Sequence, residues 1–249
     1  MQNKSSLTYQ LILSAITSLF IFSDAFATNI VSVPYIRKDV LSFQYRGTYD
    51  FDSNSSKKDN NQPTKLVANY GFSDSIRMDI KANIENKTHE DAKLSGFDGS
   101  IRWQFLNQKK HWLTAAIDGS YTKNTSISNP DQFEGKLILG RRTKNFSHLF
   151  NISGVSQVKE DRRSGIAVKF AWQSFYKLNK HAMPGFEIFS NSGNIRDKNS
   201  FQEQSHQAGP ALTGAIYDNF NYNLAYLYGL SNSALDQRVK LILFYSKKF

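Results

Sequence analysis

The amino-acid sequence predicts an all-β fold, a transmembrane antiparallel up-and-down β-barrel of about twelve strands. Three observations predict it: strands with alternating apolar and polar residues, connections that alternate in length, and an aromatic residue at the carboxyl end. Segment 76–85, IRMDIKANIE, shows the alternation most clearly, because every second residue is apolar. A period of two is typical of a β-strand whose two faces meet different environments.

The same alternation recurs along the chain. Its segments begin near Leu41, Leu66, Ile76, Phe97, Leu113, Phe133, His148, Ile166, Pro184, His206, Tyr222 and Arg238. Most of them have roughly nine to thirteen residues, whereas strands of soluble proteins usually have about five or six. A tilted strand that crosses a bilayer needs about nine to eleven residues. The strand lengths therefore favour a membrane barrel, in which apolar residues face lipid and polar residues face a wet lumen.

The connections between these segments alternate in length. Short connections are predicted at 73–75, 107–111, 143–146, 179–182 and 217–220. Long polar connections are predicted at 52–63, 87–95, 123–132, 159–165, 193–205 and 231–236. Outer-membrane barrels have short periplasmic turns and longer external loops. This alternation, together with an apolar final strand that ends on Phe249, predicts a barrel with both termini at the periplasmic rim.

The amino-terminal residues predict a secretory signal peptide over 1–27. One lysine precedes an apolar run, LILSAITSLFIF, and an Ala-Phe-Ala triplet ends at Ala27. This layout is typical of a cleaved leader. An uncleaved helical anchor is the alternative, but the run is shorter than the roughly 20 residues that a spanning helix needs. We therefore expect one barrel over residues 28–249, exported to the outer membrane of a Gram-negative bacterium.

Composition excludes several classes of protein. The chain has no cysteine, so disulfides, thiolate metal sites and cysteine nucleophiles are absent. Its mean hydropathy of −0.48 argues against a helical membrane protein. The formal net charge is +10, but the Lys and Arg pairs are short, scattered and close to predicted turns. A nucleic-acid partner needs basic residues gathered on one surface, so none is predicted.

Charged residues on the polar faces are the candidate pore-lining residues. The bases are Arg46, Lys65, Arg77, Lys81, Arg102, Lys136, Arg142, Lys169, Lys177, Arg238 and Lys240, and the acids are Asp50, Asp79, Glu85, Asp98, Asp118, Glu134 and Glu187. Bases outnumber acids, and rings of Arg and Lys in a pore favour anions. One reading is a narrow channel for small, anionic solutes. In the other, the charges pair across strands and close the lumen.

Aromatic residues at strand ends predict the interfacial girdles of a membrane barrel. They are Tyr121, Tyr176, Trp112 and Tyr245.

The sequence predicts no catalytic residue, no metal site and no cofactor. There are five histidines and neither an HExxH nor a Gly-x-Ser-x-Gly motif. His206, beside Ser205, is the least poor catalytic candidate, but adjacent residues on a strand point to opposite faces. A barrel enzyme is therefore the weakest of the functional readings.

Several stretches resemble a family of proteobacterial outer-membrane β-barrel proteins with transporter-like descriptions. The similarity covers roughly residues 34–249, and its most specific parts are HQAGP and AWQ, beside LSFQYRGTYDFD and YNLAYLYGLSNSALDQRVKLILFY. The family has no established substrate or catalytic residue, so the resemblance implies a fold and a location only. A weaker likeness, in strand count and basic lumen, is to oligogalacturonate-specific and sialic-acid-specific porins.

The expected partners follow from that location. They are the lipid bilayer, lipopolysaccharide and, during insertion, the barrel-assembly machinery, with small solutes if the lumen conducts. A barrel that does not conduct and has a structural or surface-interaction role is the alternative function.

Overall fold

The computed structural model describes residues 30–53, 59–86, 91–125, 130–158, 165–197 and 199–249. The predicted signal peptide, 1–27, lies outside the described residues. The strands are β1 Val40–Phe51, β2 Thr64–Gly71, β3 Ile76–Glu85, β4 Lys93–Leu106, β5 Thr114–Asn124, β6 Asp131–Arg142, β7 Phe146–Val158, β8 Ala167–Tyr176, β9 Met183–Asn194, β10 Ser205–Tyr217, β11 Phe220–Gly229 and β12 Gln237–Lys248. One short 3-10 helix, Phe201–Glu203, precedes β10.

The twelve strands form one closed antiparallel barrel, and the predicted fold class is confirmed. Each strand pairs with its neighbours in the chain, and β1 pairs with β12 to complete the ring, with Gly47 opposite Leu241. Every strand therefore has a partner on both sides. A bilayer requires this arrangement, because no water is present there to bond an exposed sheet edge.

Strand β3 shows how the alternation divides the two faces. Ile80 points away from the barrel and is 69% exposed, whereas its neighbour Asp79 is 3% exposed. Ile76 and Met78 share the outward face, and Arg77 is bonded to Asp79 on the inward face. The apolar face of this strand is thus the outer surface of the barrel, as its sequence predicts.

The connections lie at two rims. The short-turn rim carries 72–75, 107–113, 143–145, 177–182 and 218–219. At the long-loop rim lie the described ends of the connections 52–63, 86–92, 125–130, 159–166, 195–204 and 230–236. The difference in length is smaller than the sequence suggests, because strands extend into predicted loops. Strand β4 begins at Lys93, which pairs with Glu85 beyond a bulge at Asn83 and Ile84. Pairing continues wherever a partner backbone is present, so polarity alone misplaces strand ends.

The four predicted girdle aromatics are exposed on the barrel. Trp112 lies in a connection of the short-turn rim, where the guanidinium carbon of Arg141 is 5.6 Å from the centroid of its ring.

The amide of the last residue, Phe249, donates a hydrogen bond to the carbonyl of Asp39 at 2.8 Å. The carboxyl end is therefore attached to the residue that precedes β1. No helix in the described residues is long and apolar enough to span a membrane.

Substitution Ile80→Arg tests the outward face. Ile80 lies near the middle of β3, where an arginine would sit in hydrocarbon, so we expect a loss of about 2–4 kcal/mol in the free energy of unfolding. Urea titration of the barrel in lipid vesicles measures it. Lys81→Arg is the matched control, because the next residue faces the lumen and should leave the midpoint unchanged. Equal effects of both substitutions would contradict the assignment of faces.

Candidate functional site: the barrel lumen

An extended segment that precedes β1 lies inside the barrel. We call residues 30–36, Ile-Val-Ser-Val-Pro-Tyr-Ile, the strap. Its carboxyl end is near the short-turn rim, where the amide of Ile36 donates to Oε1 of Gln104 at 2.9 Å. Further in, Val31 is 3% exposed and Ser32 is 9% exposed. The strap therefore occupies lumen space that the alternation of the strands leaves open.

Side chains of the barrel wall bond the backbone of the strap. The amide of Ser32 donates to Oδ1 of Asn151 at 2.6 Å, and its carbonyl accepts a bond from Nδ2 of Asn151 at 3.0 Å. The carbonyl of Val33 accepts a bond from Nη1 of Arg102 at 2.7 Å. Pro34 has no amide to satisfy. Buried backbone groups need partners, and here side chains supply them, because the strands are already paired.

Glycines make room where the strap meets the wall. A Cβ at Gly140 would lie 2.7 Å from Cγ of Pro34 and 2.9 Å from the Tyr35 hydroxyl. A Cβ at Gly71 would lie 2.1 Å from the carbonyl oxygen of Arg37. A residue larger than glycine would therefore require a shift of the strap at position 140, and a shift of Arg37, which follows the strap, at position 71. The guanidinium of Arg142 covers the Tyr35 ring from 3.9 Å, which adds a cation–π contact.

Apolar side chains inside the lumen surround Val31. The cluster consists of Val31, Leu149, Phe175, Phe189, Ala211, Ala225 and Leu227, with Val33, Tyr35, Ala171 and Met183 packed against it. It lies on the wall formed by β7 to β11. Removing this surface from water favours the seated position of the strap, by about 25 cal/mol per Å² of apolar area.

Described residues line two cavities in the lumen. The long-loop chamber has a volume of about 570 Å³, and its lining includes Asn61, Lys81 and Ser205. The short-turn chamber has a volume of about 430 Å³, and its lining includes Arg142 and Lys177. Four residues line both chambers, and they mark the boundary: Ile30, Ser32, Arg46 and Arg102.

Acidic side chains of the lumen are bonded to bases. The ion pairs are Arg77–Asp79 at 2.7 Å, Lys65–Asp98 at 2.7 Å, Arg102–Asp118 at 2.6 Å, Arg238–Asp50 at 2.6 Å, Lys136–Glu134 at 3.3 Å and Lys240–Glu187. Pairs such as Arg102–Asp118 join directly opposed residues of neighbouring strands. Four of the six pairs join different strands, and two, Arg77–Asp79 and Lys136–Glu134, lie within one strand.

The pair Lys240–Glu187 connects two strands that are not neighbours. Both side chains are almost fully buried, with 1% and 0% exposed. Asn223 donates a further hydrogen bond to Oε1 of Glu187 at 3.0 Å. Lys240 lies on β12 and Glu187 on β9, so the pair crosses the lumen over β10 and β11.

Five of the eleven predicted pore-lining bases have no acidic partner at ion-pair distance among the described residues. Arg46 donates two hydrogen bonds to Oε1 of its neighbour Gln44, and Lys177 donates to the carbonyl of Thr143. Arg142 covers the Tyr35 ring. Lys81 and Lys169 line the long-loop chamber. The lumen thus retains positive charge along its whole length.

The structure places seventeen of the eighteen predicted pore-lining residues on the two chambers. The long-loop chamber is lined by Arg46, Asp50, Lys65, Asp79, Lys81, Asp98, Arg102, Asp118, Glu134, Lys136, Lys169 and Arg238. The short-turn chamber is lined by Arg46, Arg77, Arg102, Arg142, Lys177, Glu187 and Lys240. Glu85 lines neither, because it ends β3 at the long-loop rim, opposite Lys93.

Sequence reasoning missed the strap and the apolar cluster. A signal for the cluster is visible on β11, because the five consecutive apolar residues 224–228, LAYLY, interrupt the alternation. Ala225 and Leu227 of this run are buried members of the cluster. An apolar residue on an inward face requires an apolar partner within the lumen. The strap sequence, rich in apolar residues and directly after the predicted leader, was the available candidate.

The histidines that the structure describes form no constellation for catalysis. The ring of His206 stacks on that of Phe201 with centroids 4.2 Å apart, at the long-loop rim. Nδ1 of His148 is 2.9 Å from the Ser174 hydroxyl. Across the described ranges, no group of three or more His, Asp or Glu side chains is arranged to hold a metal ion.

Solved outer-membrane barrels share this fold. The KdgM porin superposes with a TM-score of 0.58 at 11% identity, over 82% of this chain and 98% of that chain. The COG4313 outer membrane channel from Pseudomonas putida F1 gives a TM-score of 0.62 at 6% identity, over 89% and 100%. The NanC porin gives 0.56 at 12% identity, over 83% and 99%. No protein-family model and no curated protein matches the sequence. The similarity therefore shows a common fold with porin and channel barrels.

Substitution Lys240→Met tests the pair that crosses the lumen. It leaves the Glu187 carboxylate buried without a counter-charge, so we expect a loss of about 3–5 kcal/mol in the free energy of unfolding. The double variant Lys240→Met/Glu187→Gln should regain most of this loss. Lys180→Met, in an exposed pair with Asp218, should have no measurable effect. A Lys240→Met barrel with unchanged urea stability would contradict the buried pair.

Proposed function

We propose that this chain is an outer-membrane β-barrel that acts as a narrow passive channel with a preference for small anionic solutes. One observation carries the proposal: within the described part of the chain, five predicted pore-lining bases without an acidic partner are distributed along the lumen from rim to rim. Lys81 and Lys169 lie in the long-loop chamber, Arg46 at the boundary, and Arg142 and Lys177 in the short-turn chamber.

The electrostatics of a narrow pore support an anion preference. The acids of the lumen are already bonded to bases, so the remaining positive charges are not neutralised. Pore walls of low dielectric constant focus this field, and Lys and Arg contacts replace part of the hydration shell of a passing anion. The common fold with proteins described as porins and channels agrees with passive transport. In this proposal the protein is not an enzyme.

The proposal includes the route to the membrane and the partners there. The leader would be removed after Ala27, and the barrel-assembly machinery would insert residues 28–249. The outward apolar face would then contact lipid and lipopolysaccharide. A nucleic acid is not among the proposed partners.

A barrel that does not conduct is the second candidate. The observation that favours it is the filling of the lumen by the strap, the apolar cluster and six ion pairs. In that case the long loops would carry a structural or surface-interaction role.

Single-channel recording decides between the two. The mature chain is refolded into a planar bilayer, and the reversal potential is measured in asymmetric potassium chloride. We expect current steps whose reversal potential favours chloride. In the double variant Lys81→Gln/Lys169→Gln, the reversal potential should move towards zero, because two unneutralised charges are lost.

Lys144→Gln is the matched control, because it removes a lysine from the exposed connection 143–145 and should leave the reversal potential unchanged. A barrel that is folded by its heat-dependent mobility in gel electrophoresis, yet electrically silent, would reject the channel and favour the second candidate. Cation-selective current would reject the anion preference.

A further inference from the structure

The strap lies at the boundary between the two chambers. Ile30 and Ser32 of the strap line both cavities, as do Arg46 of β1 and Arg102 of β4. A solute that crosses the lumen must therefore pass between the strap and the wall at this level.

The strap contacts one set of strands. Asn151 and Gln104, which bond it, lie on β7 and β4, and Gly140, which makes room for it, lies on β6. The apolar cluster around Val31 extends this set over β8 to β11. Arg46 lies on β1, outside this set, and it lines both chambers. The candidate passage past the strap therefore runs beside Arg46.

At the boundary between the chambers, Arg46 carries a positive charge that no described carboxylate neutralises at ion-pair distance. Each nitrogen of the Arg102 guanidinium donates a hydrogen bond. Nε and Nη2 donate to Oδ2 of Asp118, and Nη1 donates to the carbonyl of Val33. Arg46 donates through Nε and Nη2 to the neutral amide oxygen of Gln44 and is 7% exposed. Its charge has no carboxylate at ion-pair distance among the described residues.

We propose that the strap is the size-determining element of the channel and that Arg46, facing it, is the charge-determining residue. Together they form a constriction that admits small anions, such as chloride and short carboxylates, and slows bulkier ones. The proposal rests on the proposed channel function, and it adds which residues limit passage.

Gly140→Ala tests the size-determining role. The added Cβ would meet Pro34 at 2.7 Å and Cδ2 of Leu149 at 2.8 Å, so the strap must move from the wall. Conductance is compared in chloride, acetate and gluconate. We expect gluconate conductance relative to chloride to change by roughly twofold or more, because the constriction alters. Gly135→Ala is the matched control on the same strand, since a Cβ there has no neighbour within 4 Å.

Asn151→Ala is a second variant that leaves every strand hydrogen bond intact. It removes both side-chain bonds to Ser32, so the strap loses its deepest attachment. The gluconate-to-chloride ratio should change by roughly twofold or more here too, because the position of the strap alters. Arg46→Gln addresses the charge instead: we expect a reversal potential closer to zero, with the order of conductance among the three anions preserved.

The outcomes separate this proposal from the channel function. Wild-type ratios in both Gly140→Ala and Asn151→Ala, in a barrel that conducts anions, would overturn the role of the strap while the channel stands. An unchanged reversal potential in Arg46→Gln would overturn the role of Arg46. Folded but silent barrels in the wild type and in both strap variants would instead reject the channel function itself.

Discussion

Closure of the sheet through the pairing of β1 with β12 is the constraint on which the remaining structure depends. It gives every strand two partners, which a bilayer requires. Closure also encloses a lumen, which is lined by the inward-facing side chains of all twelve strands. None of these faces can turn away, because a shift of one residue would expose polar groups to lipid. Charged, polar and apolar groups in the lumen must therefore find their partners within the lumen.

The interior satisfies its charges and its apolar groups in different ways. Acids are bonded to bases on the same strand, on the next strand or, in the pairs Lys65–Asp98 and Lys240–Glu187, on strands that are not neighbours. Buried charges are costly unless they are paired, so these contacts are a condition of the closed barrel. The apolar inward residues cannot pair in this way. They pack around Val31, and the strap thereby fills the space that side chains of the wall do not reach.

These two solutions together shape the candidate pore. The ion pairs neutralise the acids of the lumen, and the remaining bases leave positive charge along it. The strap divides the remaining space into two chambers. A polar lumen of this kind is typical of channel barrels, in which wall residues tune selectivity. Gly140 relates the ion pairs to the strap. Because it has no side chain, it lets the strap approach the wall between the ion-paired strands and the apolar cluster.

The sequence by itself determined the fold class and the number of strands, about twelve. These properties depend on the local period of two, which any strand reveals without knowledge of its partners. The ends of β4 and the position of Glu85 outside the chambers depend on how far pairing continues, which polarity does not report. Only the tertiary structure decided which charges pair, because Glu187 and Lys240 meet through closure and register. It also decided that residues 30–36 occupy the lumen, since their partners, Arg102, Gly140 and Asn151, are brought together only when the ring is complete.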